Sequence, residues 1–414
     1  MCNVHSIIRL SMSLLLMTVA GGAMSQNMVF DDNVRTLQVT RNGNPLLPAA
    51  IRLGSSSYLT FSWDEMSHDY HRYIYRLEHC TWDWQTSDEM FESEWLKGLN
   101  NLPVENYSTS FNTTQIYTHY SMSIPNENTS VLLSGNYRLL IYEDGEEEKG
   151  PVLESRFLVY EEVAGIHCEV SPNTDIDCNN SHQQVTLEMT YGNLDVLDPE
   201  SQIHSVVTQN RRPLRTVAGT QPNIRKANGL EWTHREELIF PAGNEYYKFE
   251  ILDVHVSGMN IDNMRWYEPF FHATLWENIV ENNYLSAEDQ NGAFYPRTEN
   301  QTGNDTQAEY VIVHFTLRSP RLQGDVYVNG QWSNGECDPA CRMEYDDETG
   351  CYETAVLLKQ GFYNYQYIME DGSTYKTMGD FWQTENEYQA FVYFRDQGSR
   401  YDRLVGYTCV KSRQ

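Results

Sequence analysis

Basic residues are scarce in this sequence, which has 29 lysines and arginines against 58 aspartates and glutamates. The formal net charge of −29 argues against nucleic acid as a partner, because phosphates need a basic face. It equally argues against adhesion to anionic lipid. The acids are spread along the chain and aromatic residues make up 13% of it. The sequence therefore predicts a folded, solubilised protein rather than a disordered acidic one.

Long apolar runs are also lacking. After the N-terminus, no segment reaches the roughly 18 apolar residues that a membrane span needs, so direct membrane insertion is not expected. The exception is the shorter run Ile7 to Val19, which has the basic Arg9 near its start and precedes the small residues Ala23 and Ser25. This pattern predicts a signal peptide over residues 1–25, cleaved between Ser25 and Gln26, and hence an exported protein.

The glycine motifs of common enzymes are missing as well. The sequence has no G-x-G-x-x-G, no P-loop and no G-x-S-x-G; the nearest match, Leu53 to Ser57, lacks the second glycine. His68 and His71 are three residues apart, and on a strand such side chains point to opposite faces, so they predict a surface loop rather than a metal site. No cofactor and no metal are predicted.

Seven cysteines remain once Cys2 is lost with the signal peptide. Cys168 and Cys178 flank a turn-rich stretch and form a candidate disulfide. A second group has the spacing Cys-x3-Cys-x9-Cys and no nearby histidine, which favours a disulfide plus a spare thiol over zinc; its members are Cys337, Cys341 and Cys351. The odd count leaves at least one cysteine unpaired or paired between chains.

What the sequence does have is β-pattern almost throughout. Short alternating runs rich in Tyr, Val, Thr and Ile are separated by Gly, Asn, Asp and Pro. We therefore predict an all-β protein of tandem Ig-like or fibronectin-like β-sandwich domains. The expected bounds are 26–162, 163–285, a linker over 286–308, and 309–414. A two-domain division, with the first two blocks merged, is the alternative.

The stretch from Gly379 to Phe394 contains the sharpest catalytic candidate, the pair Glu385 and Glu387. Side chains at i and i+2 of a strand share a face, and two carboxylates can serve glycoside hydrolysis. However, glycosidase carboxylates approach the sugar from different strands, whereas these two point in parallel. We therefore expect a packed strand from Tyr388 to Phe394, with both glutamates at its more solvated end and no catalytic role.

The last block also resembles the sandwich of starch- and glycogen-binding modules. It shows a tryptophan-containing turn, the strand GFYNYQY and a following Asp-Gly hairpin. If Trp332 and Trp382 are exposed, they are candidates for stacking on sugar rings. A carbohydrate-binding protein is therefore the alternative function, and a glycosidase ranks third. The same aromatic residues also suit a core, and likeness of scaffold is not likeness of function.

Taken in order, several pieces of the chain resemble the plug proteins of the type IX secretion system. In the first block the pieces are residues 75–84, 94–98, 110–120 and 135–139, and in the last block 358–367, 379–388 and 398–407. The middle of the chain, 163–308, matches mainly in layout. The resemblance implies a periplasmic β-sandwich protein that performs no reaction. It implies a subunit that closes a large outer-membrane β-barrel translocon, and it leaves the interface residues and oligomeric state open.

Overall fold

The computed structural model describes residues 27–67, 70–281, 283–299 and 304–412 of the chain. The predicted signal peptide and His68 lie outside these residues. The described part is nearly all β, arranged in three bodies that we call the N-terminal, middle and C-terminal bodies. Among the described residues, no helix has the length and apolar character that crossing a membrane requires.

The N-terminal body consists of strands that pair among themselves. Its strands are β1 Met28–Val29, β2 Val34–Arg41, β3 Ala50–Arg52, β4 Leu59–Glu65, β5 Tyr73–Cys80, β6 Leu96–Gly98, β7 Leu102–Pro103, β8 Asn106–Thr109, β9 Thr118–Ile124, β10 Thr129–Val131, β11 Gly135–Glu143 and β12 Leu153–Tyr160, and its one-turn helix is α1 Glu92–Trp95. Two main sheets, β1-β12-β11-β5-β7 with β3 added on β12, and β2-β4-β9-β8, face each other. Alternate residues of both, such as Phe61, Trp63, Tyr137 and Phe157, fill the core.

The middle body begins with a second set of strands. These are β13 Gly165–Ser171, β14 His182–Thr190, β15 Ile203–Gln209, β16 Thr216–Ala218, β17 Ile224–Lys226, β18 Gly229–Trp232 and β19 Ile239–Pro241, with the short helix α2 Pro199–Gln202. One sheet has the order β13-β14-β18-β17, with β19 added on β14. Its second sheet is completed by the end of the chain.

The C-terminal body is one curled ten-stranded sheet closed on its own core. Its strands are β20 Tyr247–Glu250, β21 Ile261–Tyr267, β22 Phe270–Leu275, β23 Asn278–Ile279, β24 Phe294–Pro296, β25 Tyr310–Arg318, β26 Val326–Asn329, β27 Arg342–Asp346, β28 Cys351–Lys359 and β29 Gly361–Met369. The order is β20-β29-β26-β27-β28-β25-β22-β21, with β23 added on β25 and β24 on β29. Val311, Val313, Phe315 and Tyr365 lie at its centre.

The last two strands of the chain do not join this sheet but complete the second sheet of the middle body. β30 Glu387–Phe394 pairs antiparallel with β15, from Ile203 opposite Phe394 to Gln209 opposite Tyr388, and β31 Arg403–Lys411 pairs with β30. The sheet order β16-β15-β30-β31 therefore combines residues nearly 200 positions apart. The packed strand expected from Tyr388 to Phe394 is confirmed: Tyr388, Ala390, Val392 and Phe394 enter the core of the middle body, while the other face turns away from it.

These pairings differ from the predicted boundaries of the last two domains. Residues 247–279, expected in the domain 163–285, belong to the C-terminal body, and residues 387–411, expected in the domain 309–414, belong to the middle body. Within the predicted linker 286–308, residues 294–296 belong to the C-terminal body, since β24 pairs with β29, and Ala308 is fully buried. An alternating strand looks the same in sequence whichever sheet it joins, because partner choice depends on contacts between distant residues.

Candidate functional site at the junctions between the bodies

A buried aspartate stands at the centre of the junction between the N-terminal and C-terminal bodies. Asp64 of β4 has no exposed surface, and Lys359 at the end of β28 is 1% exposed. The Lys359 Nζ lies 2.6 Å from Asp64 Oδ2, and the Tyr310 hydroxyl donates to the same oxygen at 2.7 Å. His119 Nδ1 lies 2.7 Å from Asp64 Oδ1. Both carboxylate oxygens are therefore satisfied, two of the contacts coming from the other body.

The charges of this group depend on one another. Burial alone would raise the pKa of Asp64, but the positive charge of Lys359 and the hydrogen bond from His119 lower it below its ordinary value. Burial and the Asp64 charge raise the pKa of Tyr310 far above its ordinary value, so its hydroxyl remains a donor. Lys359 also lies 4.3 Å from the centroid of the Tyr117 ring. A pair desolvated in this way tolerates little change in geometry, so it fixes how the two bodies sit.

Hydrogen bonds to the backbone extend this junction. The Glu309 carboxylate of the C-terminal body accepts from the backbone N–H groups of Thr114 at 2.6 Å and Gln115 at 3.2 Å. In the opposite sense, the Tyr117 hydroxyl donates to the carbonyl of Ala308 at 2.8 Å. The loop before β9 is therefore bound to the residues just before β25. Ala308, one of these residues, falls within the predicted linker 286–308.

A second buried ion pair joins the middle and C-terminal bodies. Arg212 and Glu336 are each 8% exposed, and the Arg212 Nη2 lies 2.7 Å from Glu336 Oε2. Burial lowers the pKa of Arg212, but the Glu336 charge outweighs it and the pKa is raised overall. Arg212 also donates to the carbonyl of Gly372 at 2.9 Å, and Glu336 accepts from the backbone N–H of Leu214 at 2.8 Å.

The junction between the N-terminal and middle bodies is mainly apolar. Its cluster of buried residues is Ala50, Cys80, Trp84 and Leu158 from the first body, and Val206, Phe391, Tyr393 and Leu404 from the second. Phe391 and Tyr393 are the outward face of β30, so this strand serves two cores. The Tyr393 hydroxyl donates to Asn136 Oδ1 at 2.7 Å, and the fully buried Asp402 accepts from the backbone N–H of Trp82 at 3.1 Å.

All three bodies also border one cavity of about 140 Å³. The N-terminal body contributes an apolar wall that includes Pro45 and Pro48, while the other bodies contribute polar side chains that include Arg212, Asn291 and Glu336. Arg212 and Glu336 are already paired with each other, so the cavity presents no free opposite charges. Its position shows how closely the three bodies approach one another.

The predicted carboxylate pair is not a free pair. Glu387 begins β30, and Glu385 lies before the strand, where it pairs with Lys411. Glu387 receives two hydrogen bonds from Arg211, at 2.9 and 3.0 Å, and its side chain is 14% exposed. Burial would raise the pKa of Glu387, but the Arg211 charge lowers it. The expectation that Glu387 sits at a solvated strand end is wrong. Arg211 also donates to the carbonyl of Leu46, so the ion pair of Glu387 with Arg211 lies at the junction with the N-terminal body.

The two tryptophans of the carbohydrate alternative are both half-buried. Trp332 donates its indole N–H to the carbonyl of Asn364 at 2.9 Å and packs against the C-terminal core beside Phe315. Trp382 follows that body, and its backbone is bonded to Asn180 of the middle body. Neither side chain is therefore fully exposed, and glycan binding stays a prediction.

The cysteines and histidines that the structure describes form neither a disulfide nor a metal site. Cys168 is buried on β13 and Cys178 is exposed; both are free thiols, so no bond joins the predicted pair. Cys337, Cys341 and Cys351 are also free. Among the described residues, no group of three or more His, Cys, Asp or Glu side chains is arranged to hold a metal. His71 is occupied by hydrogen bonds to Ser67 and Glu143.

Sequence reasoning missed the charged residues at the junctions, above all Asp64, Lys359, Arg212 and Glu336. A weak signal was present for two of them. Asp64 follows the alternating run from Leu59 to Trp63, and Lys359 ends the apolar run of β28, so each places a charge where an interior position is expected. For Arg212 and Glu336, which lie outside strands, the sequence contains no comparable signal.

Comparison with known proteins shows a matching protein family and a similar solved structure. Residues 34–161 match the family model of the type 9 secretion system plug protein, 1st domain. A hypothetical protein from Parabacteroides merdae, known from a crystal structure, is 35% identical to the chain, with a TM-score of 0.89. The match covers 94% of this chain and 99% of that one. None of the curated proteins matches the chain.

Proposed function

Because the chain belongs to the type 9 (type IX) secretion system plug family, we propose that it closes the periplasmic mouth of a large outer-membrane translocon barrel when no cargo passes. In this role it is an exported, periplasmic accessory subunit without enzymatic activity. Its partner is the barrel protein, and its work consists of binding at the opening and leaving it when cargo arrives.

The observation that carries the proposal beyond the family match is the way the bodies are joined. A cover must resist deformation, since a flexible chain of three domains would leak around its hinges. Here each body touches both others through buried contacts: Asp64 with Lys359, Arg212 with Glu336, and the apolar cluster around Phe391. In addition, the middle body contains strands that precede and strands that follow the C-terminal body in the sequence, so two chain segments rather than one connect these two bodies.

The test combines binding with permeability. An affinity-tagged chain is expected to recover a large outer-membrane barrel protein from gently solubilised envelopes. Deletion of the chain is expected to leave the opening uncovered and to raise the entry of a large antibiotic such as vancomycin, and expression in trans is expected to restore the barrier. Recovery of no barrel protein, or unchanged permeability of the deletion strain, would contradict the proposal.

A further inference from the structure

Among the described residues, several edge strands carry features that block pairing with other chains. An edge strand offers unpaired N–H and C=O groups, and proteins block such edges with charges, prolines, bulges or very short strands. β21 carries Asp262 and Arg265 and a register shift, and β2 also contains a register shift. At β1, only two residues long, the amide of Asn334 occupies both backbone groups of Val29.

β8 differs from these three edges. Its four residues, Asn106–Thr109, include no charge and no proline, and all four are exposed. It pairs with β9 in continuous register, so no bulge turns it away. Among the described residues, the backbone of this strand has no partner other than β9. The sheet β2-β4-β9-β8 therefore ends in an open edge that has the properties of a site for strand addition.

An aromatic surface accompanies this edge. Tyr107 of β8 lies opposite the fully buried Tyr120, with ring centroids 5.8 Å apart, and Tyr70 packs on its other side at 5.0 Å. Tyr107 is 45% exposed and Tyr70 is 61% exposed. Phe111, just beyond the strand, is exposed as well. A strand added beside β8 would gain backbone hydrogen bonds and could also place an apolar side chain against Tyr107.

We propose that β8 is a docking edge on which an extended segment of the outer-membrane barrel protein adds as a fifth strand. The inference rests on the proposed function and names the chemistry of its contact: a peptide in β conformation, with an aromatic or aliphatic side chain facing Tyr107 and without acidic residues. The charge of the N-terminal body supports this choice, because residues 27–162 contain 21 acidic and 9 basic residues. The same charge opposes pairing of β8 with β8 of a second copy, since each copy has a net charge of −29.

The test places a photo-crosslinking amino acid, p-benzoylphenylalanine, at position 107 of the tagged full-length chain in cells. The matched control is position 267, where Tyr267 is 54% exposed at the end of the protected edge β21. Irradiation is expected to join position 107, and not position 267, to a continuous segment of the barrel protein, identified by mass spectrometry. Tyr107→Glu is expected to lower recovery of the barrel about tenfold, as loss of one aromatic anchor does, whereas Tyr267→Glu leaves it unchanged.

The outcomes separate the two proposals. Thermal unfolding of both glutamate variants must match the parent chain, which excludes loss of folding as the cause. If the parent chain and Tyr107→Glu recover the barrel equally, the docking edge is wrong and the plug function stands. Crosslinking of position 107 to a second copy of this chain also overturns the inference. If the parent chain recovers no barrel, the plug function fails, and the assignment of a barrel segment to β8 fails with it.

Discussion

Two junctions join the N-terminal body to its neighbours with opposite chemistry. Toward the C-terminal body the contact is polar, built on Asp64, Lys359 and His119 with both carboxylate oxygens occupied. Toward the middle body the contact is apolar and aromatic, built on Phe391, Tyr393 and their neighbours. An apolar contact gains free energy from area and tolerates small shifts, whereas a desolvated ion pair gains it only in one geometry.

The difference suggests a division of labour. The apolar junction supplies most of the association, because burial of large side chains is the dominant favourable contribution in such contacts. The polar junction supplies orientation, since Lys359 must meet Asp64 from across the boundary between bodies. For a protein proposed to cover an opening, strength and orientation are separate requirements, and mutations can test them separately.

The largest effect is expected at the polar junction. Lys359→Met removes the cation and leaves Asp64 buried without its charged partner, which costs about 3–5 kcal/mol of the free energy of unfolding. Chemical denaturation followed by tryptophan fluorescence measures it. Lys376→Met, at an exposed lysine, is the control and is expected to leave stability unchanged within about 0.5 kcal/mol.

A double variant separates the effect of this ion pair on the free energy of unfolding from its effect on how the two bodies are oriented. Asp64→Leu with Lys359→Met removes both charges, and we expect it to recover much of the stability lost by the single variant. If the double variant is as unstable as Lys359→Met, the single variant lost packing rather than charge pairing. Small-angle scattering of the double variant then reports whether the two bodies keep their arrangement.

The next prediction concerns the dependence of the free energy of unfolding on pH, which is expected to differ between the two junctions. His79 is 1% exposed and packs against Tyr401 of the middle body, and burial lowers its pKa to about 4. Between pH 6.5 and 4 the unfolded chain binds a proton here that the folded chain does not. The free energy of unfolding therefore falls as the pH drops through this window, by up to about 3 kcal/mol. The pKa of Asp64 is lowered, so its contribution is lost only below the ordinary aspartate value, near pH 3.8.

The measurement compares the parent chain with His79→Gln by chemical denaturation at pH 7 and pH 4.5. The difference between the two proteins is expected to shrink as the pH falls, because glutamine does not take up the proton. Using this difference cancels groups elsewhere, such as Asp289, whose pKa burial raises to about 7 and whose effect on stability has the opposite sign. An unchanged difference between pH 7 and pH 4.5 would show that His79 is not the group responsible.

Much of the fold, but little of the site, could be predicted from the sequence. The sequence pattern identified the strand GFYNYQY, which is part of β29, and the packed strand from Tyr388 to Phe394, because the alternation of side chains in a strand is local. What β30 pairs with was not predicted, since Ile203 and Phe394 meet only in the folded chain. The junctions were not predicted for the same reason. Asp64 and Lys359 are 295 residues apart, and neither residue alone indicates its partner.

The smallest effect is expected inside the apolar junction. Tyr393→Phe keeps the ring among its neighbours but removes the hydroxyl that donates to Asn136 Oδ1, which is fully buried. The unpaired oxygen is expected to cost about 1–3 kcal/mol, less than Lys359→Met because no charge is left behind. Tyr375→Phe, at a tyrosine that is 68% exposed, is the matched control. If Tyr393→Phe destabilises the chain as much as Lys359→Met, the apolar junction also depends on polar geometry, and the contrast between the two junctions is lost.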